Sequence, residues 1–136
     1  MKLLTSVDGV RTWVKHGQGK MEWLSGARYD GQWHENRMNG NGKLMKPNGE
    51  IYEGEFVEDM ATGHGKFKNE DGEIYEGFFL NDMPHGQGTQ IFNNGAYYKG
   101  TFENGSKHGK GVYMWQDKSH YKGDFVNNEF DGIGEY

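Results

Sequence analysis

Three histidines, His16, His85 and His108, each stand directly before a Gly-x-Gly pair. Imidazoles at a regular spacing raise the question of a metal site. Equivalent positions one repeat apart would lie two strands apart, roughly 10 Å, whereas zinc holds nitrogen at about 2.0–2.1 Å. The chain has no cysteine, and no acidic residue accompanies the histidines at a fixed offset. They read as turn residues bonded to nearby backbone, and no metal is expected. The Gly-x-Gly pairs raise the question of a phosphate loop. That loop needs a strand, a glycine turn and a helix N-terminus in order. Here a strand follows, no Gly-Lys-Ser/Thr occurs, and no nucleotide cofactor is expected. Carboxylate groups such as Glu53/Glu55, Glu58/Asp59 and Glu70/Asp71/Glu73 could serve acid–base chemistry if two of them shared a cleft. Their places on outward strand positions or in turns read as a solvated face. No catalytic residue is assigned.

The strongest pattern is aromatic. Tyr29, Tyr52, Tyr75, Tyr98 and Tyr121 recur every 23 residues without exception. Two residues after each stands a glycine, and two further on a large ring: Trp33, Phe56, Phe79, Phe102 and Phe125. Seven residues later comes a Gly-x-Gly pair, from Gly40/Gly42 to Gly132/Gly134, and Gly17/Gly19 continues the phase upstream. A fixed period of this kind marks a repeat architecture.

The elements that place these rings follow from the alternation. Tyr-x-Gly-x-Trp/Phe has period 2, so tyrosine, glycine and ring share one face of a strand and the polar residues between them face water. A second strand is expected after each Gly-x-Gly, ending at Asn48-Gly49, Asp71-Gly72 or Asn94-Gly95, which suit tight hairpin turns. A six-residue link, 34–39 and its copies, is expected to join the two strands of one unit. The spacing predicts strands at 29–33, 42–47, 52–56, 65–70, 75–79, 88–93, 98–102, 111–116 and 121–125, with essentially no helix. A ring over a neighbouring glycine covers bare backbone. The resulting fold class is all-β: a single-layer antiparallel sheet, elongated as a rod of consecutive hairpins.

Composition agrees. The 136 residues are only 33% hydrophobic yet 15% aromatic, with 23 glycines and two prolines. Mean hydropathy is −0.99. A large conventional core, a disulfide scaffold and a collagen-like chain are excluded. No run approaches the ~20 apolar residues of a membrane-spanning helix, and the leucines after Met1 are too few for a signal peptide. The chain reads as soluble and intracellular. Net charge is −5. Residues 1–68 carry ten Lys/Arg and nine Asp/Glu, while 69–136 carry five and eleven. That acidic second half disfavours nucleic acid, whose binding needs phosphate neutralisation.

With these residues in hand, the chain resembles the MORN repeat (membrane occupation and recognition nexus). Tyr52-Glu53-Gly54-Glu55-Phe56, then Gly63-His64-Gly65, then Asp71-Gly72 and Tyr75 carry the likeness. It covers Gly17 to Tyr136, so residues 1–16 are expected as a cap or partial repeat and 17–136 as the array, its last unit incomplete. One period before Tyr29, the motif positions hold Ser6, Asp8 and Val10. The resemblance implies a non-catalytic scaffold for partner proteins in a cytoskeletal assembly, with a ciliary or axonemal structure the best single expectation. The alternative is a membrane-apposed module that recognises anionic phospholipid or tethers an enzyme or channel.

Candidate contacts follow. The ten motif rings (Tyr29, Trp33, Tyr52, Phe56, Tyr75, Phe79, Tyr98, Phe102, Tyr121, Phe125) form the core, and any part exposed in a groove would attract a peptide. Trp23, Phe92 and Trp115, at one repeat phase with Lys46 and Asn69, are not required by the motif and are better partner candidates. For phospholipid the basic candidates are Lys15, Lys20, Arg28, Arg37, Lys43, Lys46, Lys66 and Lys68, interleaved with acids. The segment Gly132, Ile133, Gly134, Tyr136 is expected to be an open edge, paired by a partner strand or by a second copy as a homodimer.

Overall fold

The computed structural model describes residues 2–5, 11–14 and 16–135. Lys15, Tyr136 and the partial-repeat positions Ser6, Asp8 and Val10 lie outside the described residues. Strands β1 (Lys2–Thr5) and β2 (Arg11–Val14) pair with each other. Eleven further strands form one open antiparallel sheet in strict chain order. They are β3 (Gly17–Glu22), β4 (Arg28–His34), β5 (Arg37–Met45), β6 (Ile51–Val57), β7 (Met60–Lys68), β8 (Ile74–Leu80), β9 (Met83–Ile91), β10 (Tyr97–Glu103), β11 (Ser106–Met114), β12 (His120–Val126) and β13 (Glu129–Glu135). Among the described residues none is helical.

The first strand of each unit falls within a residue of its expected bounds. The second does not: β5, β7, β9 and β11 begin five residues early, and the expected six-residue link is a two-residue turn. Glu35-Asn36, Glu58-Asp59, Asn81-Asp82, Asn104-Gly105 and Asn127-Asn128 all have positive φ, for example +48° and +71° at the first pair. Both central residues in that region define the tight turn whose twist matches antiparallel strands. The Gly-x-Gly pair therefore lies inside the second strand. Its first glycine, Gly40, Gly63, Gly86 or Gly109, has φ between +81° and +104°, where a side chain would be strained.

That glycine sits in a bulge. Gly31 pairs with Gly42 and Trp33 with Met38, so one residue of β4 opposes three of β5, and β6–β7, β8–β9 and β10–β11 repeat the shift. A bulge bends the strand and strengthens its twist. The skipped carbonyl, Gln32, needs an acceptor's partner, and the Tyr29 hydroxyl donates to it at 2.7 Å. Tyr52, Tyr75, Tyr98 and Tyr121 do the same three residues on.

The paired glycines form a bare-backbone row across the sheet: Gly19, Gly31, Gly42, Gly54, Gly65, Gly77, Gly88, Gly100, Gly111 and Gly123 are successive register partners. Tyrosine rings lie on it. A Cβ on Gly88 would come within 2.3–2.5 Å of the Tyr75 ring, and one on Gly77 within 2.5 Å of the Gly88 Cα. Tyr29, Tyr52, Tyr75 and Tyr98 each also meet two rings edge to face, their own unit's and the next unit's. Tyr29, for instance, sits 4.9 Å from Trp33 and 5.3 Å from Phe56. The contacts continue unbroken to Tyr121. All ten motif rings are 0–6% exposed.

The opposite face carries a row of charge. Lys20, Asp30, Lys43, Glu53, Lys66 and Glu76 are successive cross-strand partners. Alternating sign favours this register, because opposite charges attract and like charges directly opposite repel.

Gly77→Val is expected to melt well below Glu76→Val, by at least the ~1–3 kcal/mol of core overpacking. Equal Tm values would show that ring-over-glycine contact does not hold the sheet. A second expectation concerns alkali. Loss of water on burial pushes the Tyr29, Tyr75 and Tyr98 phenols up to about 12, and Tyr52 is raised from the same cause. A pKa higher folded than unfolded means the stability is complete below about pH 10 and is lost as pH climbs through the folded value. Tm should hold level to about pH 10 and then fall steeply towards pH 12, in step with phenolate absorbance. A level Tm across that window would refute the coupling.

Candidate docking groove

A single-layer sheet buries its rings because each hairpin folds onto the one before it. The turn residue Asp59 donates its N–H to the Met38 carbonyl at 3.0 Å, and its Oδ1 accepts the Met38 N–H at 2.8 Å. Asp82 holds Ala61 in the same reciprocal way (2.9 and 2.7 Å), and Asn128 holds Lys107 (3.0 and 2.8 Å). At the remaining interface the turn residue is Gly105, which lacks the acceptor, and its counterpart is Pro84, which lacks the N–H. The pair keeps only Gly105 N–H to Pro84 O, 2.9 Å. Losing donor and acceptor together leaves neither orphaned.

Between these turns and the second strands runs a groove of about 390 Å³. Its floor holds Tyr52, Phe56, Tyr75, Phe79 and Phe102. Leu44, Phe67 and Gln90 form one wall, Ala61 and Pro84 the other. The groove spans the middle repeats because small residues stand at this phase there. Met38 and Lys107 occupy the same phase on either side. Lys107 is half-buried, its ammonium 5.4 Å from the Phe92 ring centre and 5.7 Å from Tyr98, and loss of water holds its pKa below the usual lysine value. The rim carries Glu50, Asp59, Glu73, Asp82 and one cation, Lys46.

The structure divides the candidate residues. The motif rings are core, and only the middle ones reach the groove floor. Trp23, Phe92 and Trp115 are half-buried at the margin of the aromatic face, with the Trp115 ring tilted against Tyr113 at 4.9 Å and Phe130 at 5.7 Å. The basic candidates do not form one patch. Lys20 faces Asp30 (3.9 Å), Arg28 faces Glu22 (3.8 Å), Arg37 binds Glu58 (2.5 Å), and Lys43 stands between Asp30 and Glu53. Only Lys46 reaches the groove. Gly132, Ile133 and Gly134 lie in β13, the outer strand of the sheet. Among the described residues no three His, Asp or Glu side chains converge as metal ligands. His108 pairs with Glu103 (3.3 Å), and His85 accepts the Asn104 N–H (3.4 Å).

Sequence reasoning missed Ala61, Pro84, Lys107, Asp59 and Asp82, because they fell in the supposed link. A signal was present: Asn36, Asp59, Asp82, Gly105 and Asn128 recur with the same period as the tyrosines.

The MORN repeat family model matches residues 14–28, 29–51, 52–74, 75–97, 98–120 and 121–136. Each of the last five units opens on a motif tyrosine. Comparison with curated proteins gives no match.

Asp82→Ala should cost about 1–3 kcal/mol by stripping the Ala61 N–H of its partner. Asp82→Asn, which copies Asn128, should change stability by under about 0.5 kcal/mol. Urea denaturation of the two variants decides; identical midpoints would show that the turn-to-strand bonds are dispensable.

Proposed function

From the premise that the chain belongs to the MORN repeat family, we propose that it is a non-enzymatic scaffold that binds partner proteins in a cytoskeletal assembly, ciliary or axonemal in kind. Such repeats generally mediate contacts with proteins or membrane lipids. No helix among the described residues is long and apolar enough to cross a membrane. The groove over the middle repeats is the observation that supports protein binding: concave, floored by aromatic rings, and of a size typical of binding sites. The scattered, acid-paired lysines and arginines offer little to an anionic lipid surface, where each basic residue contributes about 1 kcal/mol. The outer strand β13 offers a second contact, by strand addition from a partner or second copy.

The test fills the groove without disturbing the fold. Ala61→Met copies Met38 and Gln90→Tyr copies Tyr113 at the same repeat phases. Wild type should capture cytoskeletal proteins from a ciliated-cell extract, and the double variant should lose them while keeping its Tm. Sedimentation with phosphoinositide vesicles by both proteins, with no groove-dependent protein captured, would overturn the proposal in favour of the membrane reading.

A further inference from the structure

Four carboxylates and one ammonium surround the groove, so an occupant has both apolar and electrostatic requirements. Asp59 and Asp82 stand on successive turns, two strands apart, and Glu50 and Glu73 repeat that separation on the other rim. Two strands span about 10 Å, close to the rise of seven helical residues. From Leu44 on β5 to Phe102 on β10 the groove lining extends about 24 Å, the length of about sixteen helical residues. One oxygen of each turn aspartate accepts backbone N–H. Asp59 and Asp82 are exposed, while Glu50 and Glu73 are half-buried.

Resting on the docking reading above, we propose that the groove selects a basic amphipathic helical segment of a partner protein, its apolar stripe on the rings and Lys or Arg side chains one heptad apart facing the acidic rims. Ala61 and Pro84 admit the stripe. Met38 and Lys107 bound it, and the Lys107 ammonium disfavours a basic residue at that end. An anionic lipid surface would meet four carboxylates and is disfavoured by the same charges.

Labelled helices of about eighteen residues serve as probes: a leucine stripe flanked by lysine, the same stripe flanked by glutamate, and the same flanked by glutamine. Fluorescence anisotropy against the intact chain should rank lysine above glutamine above glutamate. The double variant Asp59→Asn/Asp82→Asn keeps both turn bonds, as Asn128 does, and removes two charges. It should weaken the lysine probe about threefold or more and leave the glutamine probe unchanged. The Ala61→Met/Gln90→Tyr variant should weaken all probes that bind. Equal affinity for lysine and glutamate probes overturns the charge inference and leaves the groove reading standing. Binding unaffected by groove filling, or absent for every probe, overturns both. Self-association of the chain lost in the filled variant would make a second copy the occupant and also refute the proposal.

Discussion

Each tyrosine ring rests on a glycine of the adjacent strand, and the rest of the fold depends on that contact. The glycine row leaves the backbone bare, so a ring can lie flat on it where any Cβ would collide. The same hydroxyl satisfies the carbonyl that the bulge leaves out of the ladder. The bulge in turn bends the hairpin over the rings. Remove the ring and the carbonyl is orphaned; remove the glycine and the ring has no seat. Local backbone geometry and core packing are therefore one feature repeated five times.

Stacking converts this local device into a continuous core. Edge-to-face pairs contribute about 0.5–1.5 kcal/mol beyond area burial, and here Tyr29, Tyr52, Tyr75 and Tyr98 each link two units. The turn-to-strand hydrogen bonds add a second link, on the other side of the rings. Their form varies by interface: aspartate, asparagine, or the Gly105–Pro84 pair. The compensated loss at that pair shows that the constraint is the matching of donor and acceptor between turn and strand, not any single residue type.

Variation within an invariant frame is what shapes the groove. Rings, glycines and bulges are held by packing and cannot change freely. The positions between them can, and Ala61, Pro84, Leu44, Phe67 and Gln90 shape one groove out of an otherwise periodic face. The outer face, with its alternating lysines and acids, settles register and solubility through cross-strand charge.

The sequence by itself determined the repeat, the all-β class, the face shared by tyrosine, glycine and ring, and the strand centres, because those follow from periods of 23 and 2 along the chain. It did not determine where the second strand begins. Glu35-Asn36 and Glu58-Asp59 are poor advertisements for a positive-φ turn, which forms because the twist of paired strands demands it. Nor did it reveal the groove. Ala61 and Asp82 are 21 residues apart and meet only when one hairpin folds onto another, and the shape of that contact is set by side-chain volume across repeats. Tertiary structure alone decided which of the core rings floor the groove and that four carboxylates gather above their middle span.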